Sequence, residues 1–438
     1  MGNLMLLIQT AFSVLQSICQ IVRVQKISCN TTVFKLLPAL CAVVLTWGCG
    51  EKAKVSGTAL TYNPTEHAVD DSLRQRVAHF IEQKNLDTLL AFYLYDITAE
   101  KPVYEYHKDS LMPPASCMKL LTGIALLHRL GTSYKFNTQL CVDGTVKSGV
   151  LNGNLIVYGG YDPLLTAGDL FPLFRKIGDR GIRRVSGKII LDLGVNEYPL
   201  HEEHWIPGDL KRGKFGFFYQ GDSRIERELK YLIHAQGVAF CDSQMSWGRI
   251  PHTARRIALL QTPVEDVVQL MWKNSANEKS ESMLYPLGRY TGRTDSLREA
   301  GKDYLRRFIR EELCRTDCCA VVHDGCGMCI HNALTPSLIV DLLRYACQHQ
   351  DIFDMAQRTL PRSGTDGTLI GRMNKPRTKG KIIAKTGTLT RENGISSLSG
   401  YFRDSQGHLL CFAIMNKHIP IADAQLFQDR LCSEFFPR

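Results

Sequence analysis

Basic residues clustered with interleaved aromatics, the footprint of a nucleic-acid surface, are missing from this 438-residue chain. Internal repeats, low-complexity tracts and long polar spans without apolar content are missing too, which excludes fibrous and largely unfolded architectures. What remains is ordinary: 44% hydrophobic and 22% charged residues leave room for a sizeable core, and the length fits two or three domains. The formal charge of +10 is spread along the sequence. That mild excess suits an anionic cell-envelope polymer and implies no nucleic-acid partner.

The N-terminus is biased. Residues 1–49 hold Arg23, Lys26 and Lys35 and no acid. Lys35 precedes an apolar run over residues 36–45, too short to span a bilayer, which ends in Thr46-Trp47-Gly48-Cys49. A basic residue, a short apolar core and small residues together read as a secretory signal. Gly48-Cys49 resembles the end of a lipoprotein signal, with Cys49 as the lipidated residue, although Thr46 stands where such signals prefer Leu. Simple cleavage or an uncleaved anchor is the competing reading. Either way the expected location is the periplasm, with membrane contact only through this segment. Residues 1–32 precede a complete signal, which suggests an early start site.

Of 15 cysteines, Cys314, Cys318, Cys319, Cys326 and Cys329 fall within sixteen residues, around His323. Three readings stay open: a tetrahedral metal site, disulfides in an exported protein, or Cys as a small buried residue in place of Ser or Ala. His201-Glu202-Glu203-His204 is one residue short of the His-Glu-x-x-His metal motif and reads as a solvated turn.

Apolar periodicity predicts helices over residues 72–84, 115–129, 168–176, 264–273, 296–313, 335–349 and 422–435. Alternation predicts strands over 89–96, 102–106, 137–141, 154–158, 188–192, 381–385, 396–404 and 408–416. A further helical stretch covers 224–234. The short, turn-separated segments between about 136 and 260 have a texture of their own. The pattern predicts an α+β protein: residues 72–135 and 261–438 form one domain, split by a smaller α/β insert over 136–260.

Three short motifs occur in order. Ser116-Cys117-Met118-Lys119 opens a helix, where residues three apart share a face and Lys119 reaches back to the Ser116 hydroxyl. A serine hydroxyl needs a neighbouring base to become a nucleophile, and a lysine serves only if burial or a second cation lowers its pKa. Ser275-Ala276-Asn277 follows a helical stretch, and Lys385-Thr386-Gly387-Thr388 lies on a strand-like run. Each motif alone is weak. Together, in this order and these settings, they resemble the set of serine penicillin-binding proteins and β-lactamases.

That resemblance assigns roles. Ser116 is the nucleophile and Lys119 its base. Ser275, between Lys119 and Lys385, relays a proton to the leaving amine. Lys385 supplies positive charge that holds Lys119 neutral and attracts a terminal carboxylate, with Thr386 and Gly387 beside it. Asn277 binds the peptide backbone, and the N–H groups of Ser116 and Thr388 form the oxyanion hole.

More specifically, the chain resembles the class C, DacB-type D-alanyl-D-alanine carboxypeptidase/endopeptidases over roughly residues 72–435. The matching segments are Val157-Tyr158-Gly159-Gly160-Tyr161-Asp162-Pro163, Asp324-Gly325-Cys326-Gly327-Met328-Cys329 and Gly364-Thr365-Asp366-Gly367-Thr368-Leu369. The family usually has serine where Cys326 and Cys329 stand, which favours the small-residue reading of those two. The implied fold is a penicillin-binding-protein/β-lactamase-like transpeptidase domain, an antiparallel sheet flanked by helices plus a helical subdomain, with an inserted domain. The implied substrates are peptidoglycan stem peptides, with β-lactams as covalent inhibitors and no cofactor or metal. Asp209 resembles the family's acid for the stem's free amine. Two departures stand out: the insert is shortened, and Ile330 occupies a position, ahead of His331-Asn332, where members that bind diaminopimelate often have Arg. A β-lactamase, or an envelope scaffold with little catalytic activity, are the rival readings.

Overall fold

The computed structural model describes residues 68–84, 89–195, 202–206, 208–292, 296–316 and 319–437. The expected targeting segment, Cys49 included, lies outside the described residues, as does Cys318. Among the described residues no helix is long and apolar enough to cross a membrane.

Helix α1 (Asp71–Glu82) starts where the Asp70 side chain accepts the Leu73 N–H, satisfying one of the donors that every helix start leaves bare. It is followed by β1 (Leu90–Asp96), β2 (Lys101–Tyr106) and α2 (Met118–Leu130). The chain then runs through β3 (Lys135–Lys147), β4 (Val150–Gly159), α3 (Ala167–Asp179), β5 (Arg184–Val185), β6 (Ile189–Leu193), α4 (Asp222–Ala235), β7 (Met245–Trp247) and β8 (Arg255–Pro263). Helices α5 (Val264–Trp272), α6 (Asn277–Ser282), α7 (Leu284–Gly288), α8 (Leu297–Glu311), α9 (Pro336–Gln348) and α10 (Gln350–Thr359) come next. Strands β9 (Ile382–Leu389), β10 (Ile395–Arg403) and β11 (Leu409–Lys417) and helix α11 (Ile421–Glu434) close it.

One sheet is antiparallel throughout, in the order β2-β1-β11-β10-β9. Strand β11 is central, and because side chains alternate across a strand it feeds two cores. Leu410, Phe412 and Ile414 pack with Leu73, Val77 and Ile81 of α1 and Leu431 and Cys432 of α11. Cys411, Ala413 and Met415 face the opposite way, with Leu338, Leu342 and Tyr345 of α9. The first and last helices of the described chain thus cover one face. This is the predicted α+β architecture. Strand β9 lies at the sheet edge; residues 361–363 run along the outer side of its first residues, bridging at Arg362–Ile383, and among the described residues no strand pairs with Lys385–Leu389 on that side.

The second sheet, β7-β6-β4-β3-β8 with β5 beside β4, mixes antiparallel and parallel pairs. Its core takes Leu170, Phe174 and Ile177 from α3 and Ile225, Leu229 and Ile233 from α4. Strand β8 runs to Pro263 and passes directly into α5, beyond the expected limit near residue 260. Its side chains are all exposed or half-exposed, which weakened the alternation. Helix α10 was also unexpected: it follows α9 at once, and His349 provides no side-chain cap for it.

Phe412 is fully buried at the centre of the first sheet. Phe412→Ala is expected to cost about 3–5 kcal/mol of unfolding free energy, read from the midpoint of urea denaturation at unchanged slope.

Candidate active site

Ser116 sits on a single 3-10 turn, Ala115–Cys117, that leads into α2. The turn is held from three sides. Ser397 Oγ on β10 donates to the Pro114 carbonyl at 2.6 Å. Ala115 adopts a φ of 45°, a region non-glycine residues rarely occupy, and Gly327 presses on its carbonyl so closely that a Cβ there would lie 1.8 Å from the oxygen. On β9, a Cβ at Gly387 would meet Ser397 Oγ at 2.1 Å and the Pro114 carbonyl at 2.7 Å. The glycine of Lys385-Thr386-Gly387 is there because the Ser116 turn packs against its backbone.

Lys119 lies one turn further and is fully buried. Its Nζ is 2.8 Å from Ser116 Oγ, 2.7 Å from Asn277 Oδ1 and 2.5 Å from the Cys326 carbonyl oxygen. Asn277 Oδ1 and the Cys326 carbonyl can only accept. A neutral amine gives each of them one N–H and keeps its lone pair for the Ser116 hydroxyl proton. An ammonium would instead point its third proton at that hydroxyl. The contacts therefore fit a base.

Lys385, equally buried, donates to Ser275 Oγ at 2.9 Å and to the Thr386 carbonyl at 2.8 Å. Burial pushes both lysines below the ordinary range. The Asp324 and Glu281 carboxylates oppose the fall at Lys119, whereas the charge of Lys119 depresses Lys385 further. Two ammonium groups cannot share this dry space. Ser275 takes a φ of 58°. The structure pairs Ser275 with Lys385 and Asn277 with Lys119, rather than setting Ser275 in contact with both lysines. Thr386 Oγ1 reaches Thr368 Oγ1 at 2.7 Å, from the Gly364–Leu369 segment, and Thr388 is exposed on the β9 edge.

Asp209 is engaged within the protein. Its Oδ2 accepts from Arg391 and from the Ile206 N–H, so the acid expected to await an amine is already paired. It nevertheless borders, with Ser275 and Asn277, a cavity of about 720 Å³. Of the expected solvated turn, His201 lies outside the described residues, and 202–204 are not simply solvated: Glu202 is 7% exposed and faces His204 and His323. Cys314, Cys326 and Cys329 are free thiols, which removes them from the disulfide reading. Cys314 and Cys319 are exposed, whereas Cys326 and Cys329 are buried.

Sequence reasoning missed what holds the Cys326 carbonyl in place. Asp324, fully buried, accepts from the N–H groups of Cys326, Gly327 and Cys329, from Asn332 Nδ2 and from Trp205 Nε1. Thr122 and Ser280 hydroxyls both bind the Gly325 carbonyl at 2.7 Å. The Asp-Gly-x-Gly pattern was the visible signal, but nothing in it announced a backbone acceptor for a lysine. Asp324→Asn keeps the volume and loses the charge that serves five donors. It is expected to lower stability by at least about 3 kcal/mol and to slow penicillin acylation, measured by denaturation and stopped-flow on one preparation.

The chain matches the profile of the family described as D-Ala-D-Ala carboxypeptidase 3 (S13) over residues 73–216 and 218–431. A relative from Haemophilus influenzae, the D-alanyl-D-alanine carboxypeptidase DacB, is 23% identical across 74% of this chain and 84% of its own. The crystal structure of penicillin-binding protein 4 (dacB) from the same organism superposes with a TM-score of 0.66 at 20% identity, covering 84% of this chain and 98% of that one. A predatory peptidoglycan endopeptidase from Bdellovibrio bacteriovorus superposes with a TM-score of 0.52 at 18% identity, covering 75% and 86%.

Proposed function

The chain belongs to the D-Ala-D-Ala carboxypeptidase 3 (S13) family and is a serine peptidase of cell-envelope peptidoglycan, and we propose that it works through an acyl-enzyme on Ser116. The observation that carries this reading is the Lys119 amine, 2.8 Å from Ser116 Oγ with its N–H donors directed at Asn277 and Cys326.

In the proposed cycle Lys119 takes the Ser116 proton as Oγ attacks the carbonyl of the penultimate D-alanine. The N–H groups of Ser116 and Thr388 receive the developing oxyanion, since fixed donors stabilise charge without reorganising. The tetrahedral species collapses and the C–N bond breaks as Ser275 gives its hydroxyl proton to the departing amine; the proton that Lys119 took replaces it, which leaves Lys119 neutral again. Water then attacks the ester and gives a proton to Lys119, which returns it to Ser116 Oγ as the acyl C–O bond breaks, and the stem peptide leaves one D-alanine shorter. A D-alanine cross-link is cut by the same steps. The Lys385 side chain and the Thr386 and Thr388 hydroxyls offer positive charge and donors for the substrate's carboxylate. The edge of β9 from Lys385 to Leu389, beyond the Arg362–Ile383 bridge, suits an extended peptide, which can add as a further strand. Asn277 remains the candidate for the acyl side, and Asp209 for a stem amine that can compete with Arg391.

β-Lactams are the proposed covalent inhibitors. The penicillin-binding protein 4 of Haemophilus influenzae has been crystallised with a β-lactam, in a fold this chain shares. Export to the periplasm through residues 1–49, with lipidation at Cys49, is proposed on the Lys35-to-Cys49 pattern, and the 136–260 segment is proposed as an inserted domain walling the cleft.

Incubation with penicillin should add one drug mass, mapped to Ser116, and purified muropeptides should lose D-alanine. Ser116→Ala should abolish both. Lys119→Gln should slow acylation roughly 100-fold or more. Because the base must be unprotonated, the acylation rate should climb with pH and level off below 10.5, the ordinary lysine value. Full cleavage of stem peptide by Ser116→Ala would overturn the assignment.

A further inference from the structure

Beside the cleft, and unused by the cycle above, five residues with metal-binding side chains converge from two short segments. Glu202, His204, His323 and Cys329 each place a ligand atom within 4.8 Å of the others. The His331 ring packs edge-on against His204, with 4.3 Å between centroids. We infer that Glu202, His204, His323 and Cys329 bind one divalent transition-metal ion of the zinc class.

The spacing supports this beyond mere proximity. Glu202 Oε1 lies 3.1 Å from His204 Nδ1 and 3.3 Å from His323 Nδ1. A tetrahedral zinc site with bonds of about 2.0 Å has ligand-to-ligand edges of about 3.3 Å. The two edges from Glu202 Oε1 already stand close to that separation, the other ligand atoms lie within 4.8 Å of one another, and Cys329 Sγ would complete the fourth corner on a longer zinc–sulfur bond. The other carboxylate oxygen of Glu202 faces Arg298 at 3.7 Å, which leaves Oε1 as the single ligand.

The surroundings have the form that metal ligands require. If His204 binds through Nδ1, its Nε2 faces Glu203 Oε1 at 3.5 Å, the outer carboxylate that orients and strengthens a ligating imidazole. The His323 N–H donates to Asn332 Oδ1 and the Cys329 N–H to Asp324 Oδ2, so both backbones on the 323–329 loop are fixed before any ion arrives. Imidazole with thiolate selects zinc-class ions over magnesium or calcium, and one thiolate plus one carboxylate neutralise a divalent charge. The neighbouring group of Glu281, Asp324 and Cys326 does not compete, because its carboxylates serve Arg298 and the loop N–H groups. An ion at the first group would tie the 202–206 turn to the loop whose Cys326 carbonyl meets Lys119.

The test uses the full-length protein, stripped with a chelator and dialysed against zinc or cobalt(II). One equivalent of zinc should be retained, and zinc should raise the thermal midpoint. Cobalt should give the visible bands of a tetrahedral site together with a thiolate-to-cobalt charge-transfer band. Cys329→Ser should lose the charge-transfer band and keep the visible bands. His323→Ala should weaken zinc more than the roughly 10–100-fold that loss of an outer partner costs. Cys241→Ser and Cys314→Ser, at exposed thiols, should change nothing. Substoichiometric zinc with an unmoved midpoint in the wild type overturns the site whatever the variants do. So does a charge-transfer band that survives Cys329→Ser or disappears with Cys314→Ser.

Discussion

A lysine amine held without water between two acceptors and a serine hydroxyl is the constraint from which the rest of this molecule follows. Removing an ammonium from water is expensive, so the Lys119 amine is tolerated in its position largely because it can be neutral. Its partners come from three places: the turn ahead of its own helix, the start of α6 and the 324–329 loop. None can move far without leaving a buried donor or acceptor unpaired. The same dryness that lowers Lys119 lowers Lys385, and their mutual repulsion ensures that a proton arriving at the pair has one good home at a time.

Much of the fold serves to deliver those partners. The central strand β11 anchors two cores, and β10 and β9 extend from it to the cleft. Ser397, on β10, holds the Pro114 carbonyl ahead of Ser116, while Gly387, on β9, leaves space for that carbonyl. On the other side, Trp272 Nε1 at the end of α5 donates to the Lys119 carbonyl at 2.7 Å. Asp324 shapes the loop from beneath. The strain at Ala115 and Ser275 falls on the two residues flanking the reacting atoms, where such conformations persist only if the surroundings enforce them.

The architecture was largely legible in the sequence because its helices and strands are amphipathic at clean periods and its helix starts carry side-chain caps, as at Asp70 and Thr335. Helix α10 and strand β8 escaped for the opposite reasons, one lacking a cap and the other half-exposed. The three motifs drew attention to Ser116, Lys119, Ser275, Asn277 and Lys385, the proposed nucleophile, base and partners, because their chemistry resides in side chains. The Cys326 carbonyl could not be read, since any residue supplies a carbonyl and only the loop's conformation aims it. Pairings between distant segments were equally silent. Nothing near Asp209 in sequence points to Arg391, and the donors at 202–204 meet His323 and Cys329 across the chain, not at a helical spacing.

The account stands on the protonation state of one nitrogen. The most direct measurement is an NMR titration of lysine labelled with carbon-13 at Cε, with the Lys119 signal assigned by its loss in Lys119→Arg. The prediction is that the Lys119 amine titrates below the ordinary value of 10.5, with the same midpoint as the rise in the rate at which penicillin acylates Ser116. A Lys119 signal that stays cationic up to 10.5 while acylation proceeds at full rate would contradict it.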